Sequence, residues 1–496
     1  MATSGKPGGA GGLVPADRPR GLDLRTAAAD RRRPDTAVVP AELCRRGRNR
    51  ARRRAFRRPL NGPTCAASPI SAFLMRWTHV HDRSRSRATV AVVLSVFCVA
   101  LAIRLAFCLT LKDTLYWSDE REYMKGVSRI LDKGIWYLVG SYKPPGYVYF
   151  LTFVRLAFGE SLMAIRAVQS VLGALACVLT FTVATGFFSR RVAIAAAAYA
   201  TVYPLLIYVC GVALPQALET VLILGFIMLL VTYRDSAARR YLVMAGLLLG
   251  LGALTVPLVL GLLPVAGLWF LSMRGGRLGP ALRETVLLGA LALCMILPWT
   301  VRNYVVEHRF ILIATLGSQL LYLHNNPWSD PDDRERTREM AFKIRREVNA
   351  EAKANPEGPT EDEIYLRRFE QFVSDHPGRF AVIYLKKFRN FFSPMPSTFS
   401  DNPHTSRANM LVGALSYAPV LAFSIVGTIV ALRRRRQALV LAAVPIFFAL
   451  GYSLFHTTVR YRIPTEPCSI ILAAFGILWL ASRVGIWRGE VLGGAE

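Results

Sequence analysis

Acidic side chains are scarce: 33 aspartates and glutamates stand against 61 lysines and arginines in 496 residues, leaving a formal net charge of +28. Cysteine offers no framework either. Of the eight, Cys44 and Cys65 lie in an N-terminal tail, while Cys98, Cys108, Cys177, Cys210, Cys294 and Cys468 sit in or beside apolar runs without ligand spacing. That pattern excludes a disulfide scaffold and a zinc site. A glycine-rich phosphate loop is missing, as is a DxD-type metal pair in a suitable loop, because Asp330-Pro331-Asp332-Asp333 reads as the solvated start of a helix. Neither a metal nor a cofactor is expected.

What the chain has is apolar length. It is 53% hydrophobic with a mean hydropathy of +0.33, cut into repeated runs by short arginine-bearing gaps, and its solvent is therefore a bilayer. The basic excess falls in the tail and these gaps, as positive-inside topology requires, so nucleic acid is not a partner. Residues 1–88 are rich in Gly, Pro, Ala and Arg with no apolar period, and are expected to be a disordered cytoplasmic tail. Its Arg45–Arg58 run suits lipid headgroups or targeting, and Met75 offers an alternative start.

Spanning-length runs follow at about 89–111, 163–187, 192–210, 214–232, 241–256, 258–273, 283–299, 409–432, 437–455 and 466–485. The expected fold is all-α and polytopic, with about ten transmembrane helices. With the tail inside, Arg190-Arg191, Arg234/Arg239/Arg240, Arg274/Arg277/Arg283 and Arg433–Arg436 all become cytoplasmic. Both termini then lie in the cytoplasm of a bacterial-type inner membrane. The organisation is a tail (1–88), an N-terminal transmembrane module (89–299) whose first outer loop is 112–162, an extracytoplasmic soluble segment (300–408), and C-terminal helices with a short cytoplasmic tail (409–496).

In the first outer loop, Tyr123, Val127, Ile130 and Leu131 share one face of a helix over 119–133, lying along the interface. A second interfacial helix is read at 146–158. In the soluble segment a charged helix covers about 330–355, and Thr360 with Glu363 forms a capping box opening a helix to about Asp375.

Asp119 and Glu120 are adjacent carboxylates at the mouth of the first loop, within reach of water and lipid headgroups. A carboxylate there can take a proton from an attacking hydroxyl; equally, Asp119 with Glu122 is a helix-capping pair. Lys143, held extended before Pro144-Pro145, can meet a phosphate, or can simply snorkel. Gln216 and Glu219 open the fourth span, where an ionisable group is costly and is a functional candidate. Arg302, His324, His456, Arg460 and Arg462 fall on the same side, their cations suited to a departing phosphate and their histidines to structural hydrogen bonds.

These residues resemble the GT-C superfamily of membrane glycosyltransferases, in particular bacterial relatives of dolichyl-phosphate-mannose protein mannosyltransferases and of the lipid A aminoarabinose transferase. The resemblance runs from about Val90 to Ile486 and rests on Asp119-Glu120, Lys143-Pro144-Pro145, Arg166-x-x-Gln169, Leu297-Pro298-Trp299-Thr300-Val301-Arg302-Asn303 and Arg460-Tyr461-Arg462-x-Pro464. It implies an inverting transfer from a polyprenyl-phosphate sugar donor to a lipid, glycan or protein acceptor, with Asp119 matching the essential first-loop acid and Lys143 the donor-phosphate contact. Two departures stand out. Many relatives have an acid near Gln216, where the nearest here is Glu219, and an arginine where this chain has Val256. A transporter or flippase would instead show midplane charges and two similar halves, and the spans show no clear midplane charge. A non-catalytic envelope scaffold would leave Asp119 and Lys143 replaceable.

Overall fold

The computed structural model describes residues 83–136, 142–355, 357–395 and 407–486. Among these residues every regular element is a helix. Seven helices among the described residues are long and apolar enough to cross a membrane, so the chain is an all-α, polytopic integral membrane protein. Most of the tail lies outside the described residues; the first helix already begins at Arg83.

The ten apolar runs all fold as helices, but three stop short of spanning length. α1 (Arg83–Leu109) leads into the first loop, which holds α2 (Ser118–Lys133) and α3 (Pro145–Phe158); α4 (Leu162–Thr185) returns. The third run breaks at Tyr203-Pro204 into α5 (Arg190–Val202) and α6 (Pro204–Tyr208), since proline cannot continue the ladder behind it. After α7 (Gln216–Ser236), α8 (Arg239–Thr255) ends at Val256-Pro257, where a 3-10 turn precedes α9 (Leu262–Met273). The remaining long helices are α10 (Leu278–Glu307), α15 (Arg407–Arg434), α16 (Leu439–Leu454) and α18 (Glu466–Arg483), the last preceded by α17 (Val459–Arg462) and a 3-10 turn. Short helices are tolerated where neighbours bury their ends. In α5 the face Val192, Ala193, Ala196, Ala197 and Ala200 is fully buried, small side chains letting the backbones close in.

The segment after α10 contains α11 (Leu316–Leu323), α12 (Arg334–Ala354), α13 (Glu361–Asp375) and α14 (Pro377–Phe392). Its own core is formed by Tyr322, Leu323, Ile344, Val348, Ile364, Tyr365, Phe372 and Ile383. Glu363 caps α13, accepting from the Thr360 N–H at 2.7 Å. Asp333 caps α12 through the Arg336 N–H at 3.2 Å. Asp330 and Asp332 are held by Lys386 at 2.9 and 3.2 Å.

The first span does bury a charge: Arg104 is wholly enclosed, donating to the carbonyls of Ala100, Ala200 and Thr201 and to Cys177 Sγ at 3.1–3.2 Å. Its partners are helix carbonyls and a thiol, so it ties α1 to α4 and α5. At the other end of the chain, α15 and α18 meet glycine to glycine. A Cβ on Gly427 would fall 2.0 Å from the Leu472 oxygen, and one on Gly476 would fall 2.4 Å from the Phe423 oxygen.

Candidate active site

α2 starts with two carboxylates that the fold treats differently. Glu120 is completely buried. One of its oxygens accepts from the Tyr116 and Trp117 N–H groups at 2.6 and 2.7 Å, and the other from the Ala213 N–H at 2.6 Å. Burial pushes its carboxyl above the ordinary range, against the pull of those donors. The helix start is thus capped by Glu120 at its third position, not by Asp119 with Glu122, which instead pairs with Lys125 at 3.3 Å.

The loop is stapled a second time. Arg166 donates to the carbonyls of Lys112, Thr114 and Gly211 at 2.9, 3.1 and 3.0 Å. Gln169 bridges Tyr147 Oη and the carbonyls of Cys210 and Val212. The Arg166-x-x-Gln169 phrase therefore fixes 112–117 against the turn at 210–213.

Asp119, freed from capping, turns to cations. Its Oδ2 meets Arg460 Nη2 at 2.5 Å and its Oδ1 lies 3.6 Å from Lys143 Nζ. The longer contact is an ion pair without a hydrogen bond, and Lys143 Nζ is buried with no hydrogen-bond partner. Aromatic rings wall the group: Lys143 lies 4.4 Å from the Tyr123 ring centre, and the Arg460 guanidinium 5.4 Å from Trp117 and 5.2 Å from Tyr461. Tyr461 stacks on Tyr452 at 4.4 Å. Burial opposes ionisation of Asp119, but Arg460 and Lys143 together outweigh it and hold the carboxyl below the usual range. Burial also pulls the Lys143 ammonium down, with Asp119 opposing.

Other candidates take separate places. Arg302 donates to the Trp136 carbonyl at 3.2 Å and lies over Trp299. Arg462 is buried against Glu466 at 2.7 Å, with the Phe391 and Ser393 carbonyls and the Tyr417 ring completing its cage. Both are committed to internal partners. His324 and His456 stack at 4.1 Å, and His456 reaches Tyr461 edge-on at 6.3 Å. Desolvation first, then the charges of Lys387 and Arg345, push His324 down to about 3, so it is neutral at physiological pH. Gln216 and Glu219 are buried at the start of α7, each with its Oε1 unpartnered.

Two features escaped the sequence reading. The aromatic walls Trp117 and Tyr123 flank Asp119, and Tyr123 shares its helical face at four residues' spacing. Lys387 is buried and bonded to Asn325 Oδ1 and the Phe455 carbonyl, both at 2.7 Å, and burial pushes it well below the ordinary range. Its signal was a lysine on the apolar stripe Ile383-Lys387-Phe391.

Fold and loop together define a class: a polytopic membrane protein with an acid and two cations gathered beside its first long loop. Residues 142–301 match the family model of dolichyl-phosphate-mannose-protein mannosyltransferases. The fold is similar to that of the Archaeoglobus fulgidus oligosaccharyltransferase tethered with an acceptor peptide, at TM-score 0.50 and 15% identity over 83% of this chain and 52% of that one. ArnT from Cupriavidus metallidurans in the apo state aligns at TM-score 0.47 and 16% identity, covering 80% and 62% of the two chains. Its undecaprenyl phosphate-bound form gives 0.40 and 13% over 81% and 79%. The chain spans about half the length of the archaeal enzymes it matches. A search of curated protein sequences finds no match. The family-model match over residues 142–301 and the likeness of fold are both in line with the resemblance drawn from the sequence.

Proposed function

We propose that this protein is an inverting membrane glycosyltransferase acting at the extracytoplasmic surface. It moves a sugar from a polyprenyl-phosphate-linked donor to an acceptor hydroxyl or amine, with Asp119 as general base. The observation behind this reading is the Asp119 carboxylate set between Lys143 and Arg460, at 3.6 and 2.5 Å; of the three, Lys143 lies inside the stretch that matches the mannosyltransferase family model.

The chemistry follows from charge. Asp119 takes the acceptor proton as the acceptor's oxygen or nitrogen attacks the anomeric carbon. The carbon–oxygen bond to phosphate breaks, its electron pair leaves with the lipid phosphate, and Lys143 and Arg460 neutralise the anion as it forms. Glu120 takes no part in proton transfer, because both its oxygens are engaged by backbone N–H groups; it holds Asp119 in place. Lys143, ion-paired with Asp119 but with no hydrogen bond of its own, has its donors open to a phosphate.

The test is kinetic. Asp119→Asn preserves shape and is expected to lower turnover by about 10² to 10⁴, with donor binding kept, as loss of a general base does. Lys143→Ala is expected to raise the apparent donor KM. An Asp119→Asn enzyme retaining more than about a tenth of wild-type turnover, beyond what loss of a base allows, removes the assignment.

A further inference from the structure

Glu219 is an oddity on energetic grounds. It lies one turn into an apolar helix with 1% of its surface exposed, and its Oε1 meets no hydrogen-bond donor. Gln216, one turn earlier on the same face, leaves its own Oε1 unpartnered at 3% exposure. A buried carboxyl without a partner destabilises the helix bundle, and two unfilled acceptors side by side form a socket for donor groups.

The socket adjoins the Asp119 group through two tyrosines. The Ala213 N–H from which Glu120 accepts at 2.6 Å lies three residues before Gln216, and Tyr123 and Leu218 pack against the same apolar cluster that holds Ala213. Tyr123 also carries Lys143 on its ring face, and Tyr452 stacks on Tyr461 beside Arg460. Neither tyrosine hydroxyl forms a hydrogen bond among the described residues. Unfilled acceptors on one side, phenols between and cations on the other suit a ligand with several hydroxyls at one end and a phosphate at the other.

We propose that Gln216 and Glu219, with the Tyr123 and Tyr452 hydroxyls, form the subsite for the polyhydroxylated glycosyl group of a lipid phosphate seated on Lys143 and Arg460, and that Glu219 selects among sugars by accepting their hydroxyls. This rests on the glycosyltransferase reading and deepens it. The phosphate end is shared by every donor, whereas the hydroxyl pattern differs between sugars, so discrimination belongs at Glu219.

The full-length protein in nanodiscs is to be titrated with undecaprenyl phosphate, bare or esterified with mannose, glucose or xylose. Wild type is expected to bind at least one ester about tenfold tighter than the bare lipid, the equivalent of one well-placed hydrogen bond. Glu219→Leu is expected to lose that increment while binding the bare lipid as before, and Glu219→Gln to keep part of it. Lys143→Ala is expected to weaken bare and esterified lipid alike. Because Leu removes an unpaired buried carboxyl, Glu219→Leu is also expected to raise the unfolding temperature. The subsite is overturned if Glu219→Leu keeps the sugar increment, if wild type shows none, or if the substitution lowers the unfolding temperature. Failure of the bare lipid to bind, or indifference of that binding to Lys143→Ala, would overturn the parent reading instead.

Discussion

Two carboxylates one residue apart end in opposite electrostatic states, and the difference is made by what each one faces. Glu120 points into the protein and meets three N–H dipoles, whereas Asp119 points along the loop and meets two full charges. For Asp119 the two cations outweigh the burial that opposes ionisation, so the base form persists to a pH below the usual carboxylate range. The acid limb of kcat/KM, which reports the free enzyme's base, is therefore expected below that range. Arg460→Met removes the nearer cation and leaves burial less opposed, so the limb should move upward in pH, whatever happens to absolute turnover. A limb that stays in place would show that another group is titrating.

At the scale of elements, the first loop behaves as a stapled unit. Glu120, Arg166 and Gln169 together satisfy backbone groups of 112–117 and 210–213 that no helix serves. Glu120→Ala would orphan three N–H groups, each costing about 1–3 kcal/mol when buried and unpaired. Thermal unfolding in detergent should accordingly place Glu120→Ala well below Asp119→Asn; equal midpoints would mean that the staple bears little. Legibility followed the same division. The apolar periods of α1, α4, α7 and α10 and the Thr360–Glu363 capping box are local signals, and each emerged as a helix where its pattern lay. Asp119, Lys143 and Arg460 were each singled out, but their meeting joins positions separated by 24 and 341 residues, which no local period encodes. Arg302 and Arg462 were indistinguishable from Arg460 by residue type. Only the carbonyl cages around them, built by distant turns, set them apart.

For the whole molecule the arginine clusters set a testable orientation. Positions 143, 317 and 456 should face outward, and Arg433–Arg436 inward. An impermeant thiol reagent on intact cells should label a cysteine placed at Ser318 and spare one at Arg434; the reverse pattern would invert the protein. The glycine contact between α15 and α18 has a mechanical consequence of its own. From Val459 to Arg483 the chain is one nearly continuous helical rod, with Arg460 near its tip and Gly476 roughly 24 Å further along at 1.5 Å per residue. Any side chain added at Gly427 or Gly476 meets backbone, which cannot step aside, so the rod must pivot and its tip must travel. The alignment of Arg460 with Asp119 is thus a lever reading, calibrated at a fulcrum where neither glycine touches the reacting groups.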